Sequence, residues 1–225
     1  MIVAENRETP KLGGGIYNST DISDILKIDR RQAYYLLQSY LNDKFRKTSQ
    51  FNYRLSDDDR YSVNFLSLIE IYIFQKFKES GVTPQKIVKI HEFLSGKLKT
   101  PYPFASTHFF KSGNNIYFKD GDDWVITDKT LQIALRKIVE SFGSKISFNN
   151  ENLADKYYPL GKDRSIVIDP EYRFGQPILK NSFLPIEPLY ETYKAENDDA
   201  ELISHIYNIS KSEIKDIVEF METAA

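Results

Sequence analysis

The stretch Val63–Lys78 restricts the possible folds more than any other part of this chain. Phe65, Leu66, Leu68, Ile69, Ile71, Tyr72, Ile73, Phe74 and Phe77 place apolar side chains on nearly every face of a helix. No single amphipathic stripe describes it, so the helix is either central to a core or shared with a second subunit. The second alternative motivates the expectation of a homodimer. Asp57-Asp58-Asp59 fits the acidic start of this helix, and Gly81 is well placed to end it. Thr83-Pro84 then begins another helix, with Ile87, Ile90, His91 and Leu94 on its inner side.

Upstream lies the clearest local code. Residues 1–15 end in Gly13-Gly14-Gly15 and read as a flexible arm. Ser19 or Thr20 can cap a short helix whose apolar residues Ile22, Ile25 and Leu26 fall at i, i+3, i+4. Asp29 caps a second helix after a tight turn. Ala33, Leu36, Leu37, Tyr40 and Leu41 line one face of it, and Arg31, Tyr34, Tyr35 and Gln38 the opposite face. Two short helices with an exposed row of Arg, Tyr and Gln on the second describe a helix-turn-helix. If the second helix enters a major groove, Arg31 can pair with guanine in bidentate fashion, and Gln32 or Gln38 can read adenine. Residues 42–60 are polar and basic, and Phe51–Leu55 fits a short wing strand that brings Lys44, Arg46, Lys47 and Arg54 to phosphate.

The net charge of −2 conceals an asymmetry. From Lys27 to Arg54 seven basic residues face two acids, a net of +5, whereas from Glu191 onward nine acids face three lysines, a net of −6. The basic end suits phosphate; the acidic end would be repelled by it and reads as a protein-contact surface, with a purely structural role as the equal alternative. Fifteen Phe and fifteen Tyr supply ample burial, which excludes a disordered chain. No stretch reaches the roughly 20 apolar residues of a membrane span, and MIVAENRETP lacks a signal-peptide core. With no cysteine, disulfides and thiolate sites are excluded, and a cytoplasmic location is expected.

Beyond Thr100 the texture changes. Residues 106–127 alternate and turn like a small sheet, with Gly113-Asn114 and Asp120-Gly121-Asp122-Asp123 as turns. A helix follows from about Thr130 to Ser141, then Ser165–Pro170 reads as a strand ended by proline, and a helix falls near Leu189–Lys194. In the tail, Leu202, Ile203 and Ile206 point inward from one helix, and Ser210 with Glu213 forms a capping box for the last. The expected class is α+β, mainly helical: an N-terminal winged helix-turn-helix, a small antiparallel β region and a C-terminal helix-pair module.

Two stretches resemble known families. Residues 16–94 resemble the MerR-like winged helix-turn-helix, with its two-helix unit, a basic wing ending in Tyr53-Arg54, and a long helix; ESGVTPQKI (Glu79–Ile87) is similar to that family's helix start. Residues 164–222 resemble the module called domain of unknown function 433: RSIVIDPEYRFGQPILKNSFLPI carries its strand, D-P and F-G-x-P turn, and HIYNISKSEIKDIVEFM its helix pair. Where MerR-type proteins usually carry an arginine this chain has Tyr34, so that contact falls to Arg30 or Arg31. Ser39 replaces the family's small turn glycine. The joined architecture resembles the VapB-type antitoxins that pair with PIN-domain ribonuclease toxins. The resemblance implies domains at 16–99, 100–163 and 164–225, double-stranded DNA as partner, autoregulation of an operon and a PIN-type toxin to neutralise. A ligand-responsive transcription factor without a toxin, or a protein-interaction scaffold, are the alternatives.

Nothing in the chain assembles an enzyme. His91, His108 and His205 are scattered, and His91 sits on the inward face of its helix. Asp120-Gly121-Asp122-Asp123 reads as a hairpin turn rather than a metal loop, and Asp169-Pro170 as a strand-ending turn. No catalytic residue, metal or cofactor is expected.

Overall fold

The computed structural model describes residues 14–45, 53, 55, 62–107, 138 and 142–223. The expected hairpins of 106–127 fall outside the described residues from His108 on, as do nearly all of the helix at 130–141, Asp57–Asp59, Arg46, Lys47, Arg54, residues 1–13 and the side chain of Tyr40.

The protein is α+β. Among the described residues the helices are α1 (Ser19–Leu26), α2 (Arg30–Tyr35, continued by a π-helical segment Leu36–Phe45), α3 (Phe65–Glu79), α4 (Pro84–Leu98), α5 (Ile186–Ala195), α6 (Ala200–Tyr207) and α7 (Lys211–Glu222). Four short strands, β1 (Ile146–Phe148), β2 (Ala154–Tyr157), β3 (Ile166–Ile168) and β4 (Pro177–Leu179), form one antiparallel sheet in sequential order. Of these, β3 matches the strand expected at Ser165–Pro170.

The start signals of two helices lie elsewhere than expected. Asn18, not Ser19 or Thr20, caps α1: its Oδ1 accepts from Thr20 N (2.7 Å) and Asp21 N (3.1 Å), while Asp21 Oδ2 accepts from Asn18 N (2.9 Å). This closes a capping box. Asn64, not the Asp57–Asp59 run, caps α3 by accepting from Ser67 N at 2.8 Å. Both follow from the same geometry, since a cap must stand in the last extended residue and reach two or three residues forward. Gly14 and Gly15 do not behave as an arm. Gly14 O accepts from Phe65 N (2.9 Å), and Gly15 is buried at φ +70 beside the Tyr17 ring.

Helix α3 is central to the core. Eleven of its residues are buried, covered by the π segment, α4 and β2. Tyr72 packs on Phe142 and Tyr157 at centroid separations of 4.9 and 5.2 Å, Phe77 on Phe104 at 5.6 Å and Phe74 on Phe45 at 5.9 Å. The chain thus covers by itself the helix whose all-round apolarity suggested a second subunit.

Buried side chains form two clusters. The larger runs from Tyr17 through α3 and α4 to Tyr157 and Ile168; the smaller joins Ile166 and Leu179 to Ile186, Leu189, Ile203, Ile209, Ile214, Ile217 and Phe220. Strand β3 belongs to both. The N-terminal helices are also tied to the second unit: Ile16 N donates to Phe174 O (3.0 Å), Gln176 Nε2 to Asp21 Oδ1 (3.3 Å), and Lys27 Nζ lies 4.1 Å from the centre of the Phe220 ring.

In the second unit Arg164 clamps α7. Its guanidinium reaches Asp216 Oδ1 (2.7 Å) and Glu219 Oε2 (2.6 Å), and Ser165 N donates to Asp216 Oδ2 (2.7 Å). Burial alone would raise the Asp216 carboxyl, but the Arg164 guanidinium and the Ser165 donors outweigh it and hold the group below its ordinary value. A depressed folded pKa means stability that is present above the ordinary carboxylate range and lost as pH falls through the folded value. Arg164→Ala leaves only the Ser165 donors to oppose burial, so in thermal melts at falling pH the acid-side loss should begin at a higher pH than in the parent. An unchanged acid limb would show that the clamp contributes nothing.

Candidate nucleic-acid interface

The turn between α1 and α2 is fixed from several directions. Lys27 ends α1 in the left-handed region (φ 55), a position it tolerates only because the surrounding bonds require it. Ser23 Oγ donates to Ile28 O (2.6 Å), which anchors the turn, and Ile28 is buried beneath it. Asp29 Oδ1 then accepts from Arg31 N (2.8 Å) and Gln32 N (3.3 Å), as the sequence indicated. Ala33 is fully buried, as are Leu36, Leu37 and Leu41; a residue this small lets the two helices approach closely.

On the other face α2 presents Arg30, Arg31, Tyr34 and Tyr35 to solvent, and Lys44 is exposed further along. Tyr34 and Tyr35 are about half exposed, at 48% and 51%, an unusual display of aromatic area beside two arginines. The remaining candidates divide. Gln38 is half-buried. Gln32 is half-buried, and its Nε2 donates to Gln75 Oε1 on α3 (2.6 Å), so it braces the helix and can read a base only if that bond breaks. Tyr53 is a correction: it is fully buried, its hydroxyl donates to Pro101 O (2.7 Å), and its ring meets Tyr102 edge-on at 5.7 Å. A ring enclosed in this way cannot touch DNA. Lys27, counted in the basic run, is likewise withdrawn by its place over Phe220; burial lowers its pKa, against the pull of Asp24. Arg46, Lys47 and Arg54 lie outside the described residues.

Sequence reasoning missed Glu70, the acid in the middle of α3. It is fully buried; Oε1 accepts from Phe104 N (2.8 Å) and Ala105 N (3.0 Å), and Oε2 lies 3.2 Å from His91 Nε2 without hydrogen-bond alignment. His91 is buried, as its helix position indicated, and stacks on Phe45 at 3.7 Å and 7°. An acid between Ile69 and Ile71 in the apolar run Leu68–Phe74 is the signal, because a carboxylate is buried only where donors await it. With neither group reaching solvent, the pair joins α3, α4, the segment at 104–105 and the end of the π segment.

Among the described residues no group of three or more His, Cys, Asp or Glu is placed to hold a metal ion. None of the described helices is long and apolar enough to cross a membrane.

No family model matches the chain. Among curated proteins, "Putative antitoxin VapB45" of Mycobacterium tuberculosis (strain ATCC 25618 / H37Rv) is 24% identical over 168 residues, spanning 69% of this chain and 70% of that protein. Among solved structures, the X-ray crystal structure of Rv2018 from Mycobacterium tuberculosis aligns with a TM-score of 0.69 at 18% identity, covering 94% of this chain and 99% of that one. The second likeness is one of fold, and it extends over both units.

Proposed function

We propose that this protein is a DNA-binding regulator of the toxin–antitoxin type, reading operator DNA with α2. The observation that carries it is the row Arg30, Arg31, Tyr34 and Tyr35, exposed on a capped helix that follows a fixed turn and is backed by buried Ala33, Leu36 and Leu37. Such a helix has its inner face committed to the core and its outer face exposed to solvent, the division that groove reading needs. The distant likeness to an antitoxin supports the regulatory half of the reading. In this reading the N-terminal unit is a winged helix-turn-helix of MerR-like kind, residues 164–225 form a 433-type module, and the protein acts in the cytoplasm as a homodimer on a twofold operator in its own promoter, with a PIN-type ribonuclease as the protein it neutralises.

The test is a titration of the protein against DNA from upstream of its own gene at two salt concentrations. Arg31→Ala should lose roughly 1–3 kcal/mol of operator affinity and relax preference at one base position. Lys44→Ala should weaken binding to every sequence alike and lower the salt slope by about one unit. Both are surface changes, expected to alter stability by no more than about 0.5 kcal/mol. Normal binding by both variants would overturn the assignment of this face.

A further inference from the structure

The two ends of the chain repeat one device. Asn18 and Asp199 cap α1 and α6. Lys27 and Asn208 end them at φ 55 and 51, and Ser23 and Ser204 each donate Oγ to the carbonyl five residues on, Ile28 and Ile209, at 2.6 Å. Both of those isoleucines are buried, and Asp29 and Ser210 cap the helices that follow. The second unit is therefore a helix-turn-helix built like the first, residue for residue through the turn.

The outer faces of the two units differ. Where α2 shows Arg30, Arg31, Tyr34 and Tyr35, α7 carries Lys211, Ser212, Lys215 and Asp216, and Asp216 is drawn inward by Arg164 and Ser165. The position that corresponds to Tyr35 is thus taken up by a clamp, while Lys211, Ser212 and Lys215 stay exposed. The first helices diverge in the opposite sense. Ile25 of α1 is buried at 2%, whereas Ile206, its counterpart on α6, is 53% exposed; Asp21 has Leu202 as its counterpart, 36% exposed. Only Ile203 of the three apolar residues expected inward on α6 is buried. Leu202 and Ile206 stand one turn apart on one stripe, and exposed Glu196, Asp198, Asp199 and Glu201 immediately precede it in the chain.

We propose that this face of α6 is the seat of a basic partner protein, one that inserts apolar side chains over Leu202 and Ile206 and surrounds them with lysine and arginine. The inference rests on the partner half of the function proposed above. Its charge argument is direct. Between Ala195 and Ser210 the chain carries four acids, Glu196, Asp198, Asp199 and Glu201, and no lysine or arginine. The flanking Lys194 and Lys211 pair with Asp198 (2.9 Å) and Glu201 (2.5 Å), exposed pairs that exchange readily for a partner's charges. A second copy meeting the face through a twofold axis would set acidic rim against acidic rim, which like-charge repulsion disfavours. A basic surface gains both the apolar contact and the rim.

The experiment uses the full chain and two synthetic helical peptides of leucine with lysine and of leucine with glutamate, followed by fluorescence anisotropy. The lysine peptide should bind, and the glutamate peptide about tenfold or more weakly. Leu202→Ser with Ile206→Ser should weaken the lysine peptide by about tenfold or more, as loss of two anchors does, with an unchanged melting temperature. Ile206→Lys, a single outward change, should weaken it similarly through repulsion. Equal binding of the lysine peptide to parent and variants would overturn the proposal, as would sedimentation showing that the double variant converts an oligomer to a monomer, which would make a second copy the occupant. Promoter DNA titrated in parallel separates the two readings: loss of the peptide contrast with DNA binding intact sinks this face alone, and absence of DNA binding with the contrast intact sinks the regulator reading alone.

Discussion

Glu70→Ala should lower the stability of the folded chain by about 2–5 kcal/mol, from two buried backbone donors left unpaired and the space left behind. The loss has identifiable parts. Phe104 N and Ala105 N give up their shared acceptor, and His91 loses the carboxylate 3.2 Å from its Nε2. Each unsatisfied buried donor costs on the order of 1–3 kcal/mol. Glu70→Gln keeps an acceptor for the two backbone N–H groups and should cost less than half as much. Burial also pushes the Glu70 carboxyl above its ordinary range. Between that range and the folded value the native state holds the extra proton, so this group's contribution declines as pH rises, and Glu70→Gln should remove that slope. Urea melts at several pH values measure all three effects; equal losses for the Ala and Gln variants would show that shape rather than hydrogen bonding holds this site. Because His91 stacks on Phe45 at the end of the segment continuing α2, the proposed function predicts that the Ala variant also binds operator DNA more weakly.

What the sequence made legible was local. Asp29 as a cap, Ile22, Ile25 and Leu26 as one inward face, and Ser210 with Glu213 as a capping box depend on residues within a turn or two of one another, where spacing alone decides. The misreadings depend on distance. Asn18, Ser19 and Thr20 are all competent caps, and the extended residue among them is set by the pairing of Tyr17 with Val63, far along the chain. The apolar wrap of α3 does not say whether a neighbouring chain or this one covers it. Tyr53 sits in a basic run that suits DNA, yet Pro101 claims its hydroxyl. Leu202, Ile203 and Ile206 satisfy helical spacing together, but in an eight-residue helix the narrow contact with its neighbours takes only Ile203. The described strands have three or four residues each, too few for alternation to announce them. The candidate interface followed the same rule: the exposure of Arg31, Tyr34 and Tyr35 came from helical period, and the withdrawal of Gln32 and Lys27 came from contacts that period does not reveal.

The seam between the two units supplies the other large effect. Gly175→Ala should cost about 2–5 kcal/mol, combining about 1–2 kcal/mol for an L residue in the left-handed region with about 1–3 kcal/mol for overpacking. Gly175 stands at φ +83, and a Cβ there would overlap the Tyr17 hydroxyl outright and lie 2.6 Å from its Cζ. The turn has little room to relax, since Arg173 and Phe174 are already left-handed at φ 48 and 57, and Tyr17 is fully buried. The Tyr17 hydroxyl has no hydrogen-bond partner among the described residues, so Tyr17→Phe alone should be neutral or stabilising by up to about 1 kcal/mol. In the double variant the nearest overlapping atom is gone while the ring carbons remain, so part of the Gly175→Ala loss should be recovered. A double-mutant cycle by urea denaturation reads this as a coupling beyond the roughly 0.3–0.5 kcal/mol expected of independent sites. Simple additivity would show that Gly175 answers only to its own backbone and that Tyr17 does not feel it. Tyr17 directly precedes the capped start of α1, and Ile16 donates to Phe174 within the same turn. Gly175→Ala should therefore also disturb the seat of the first helix and, under the proposed function, reduce operator affinity from a site outside the candidate interface, with Tyr17→Phe restoring both in part.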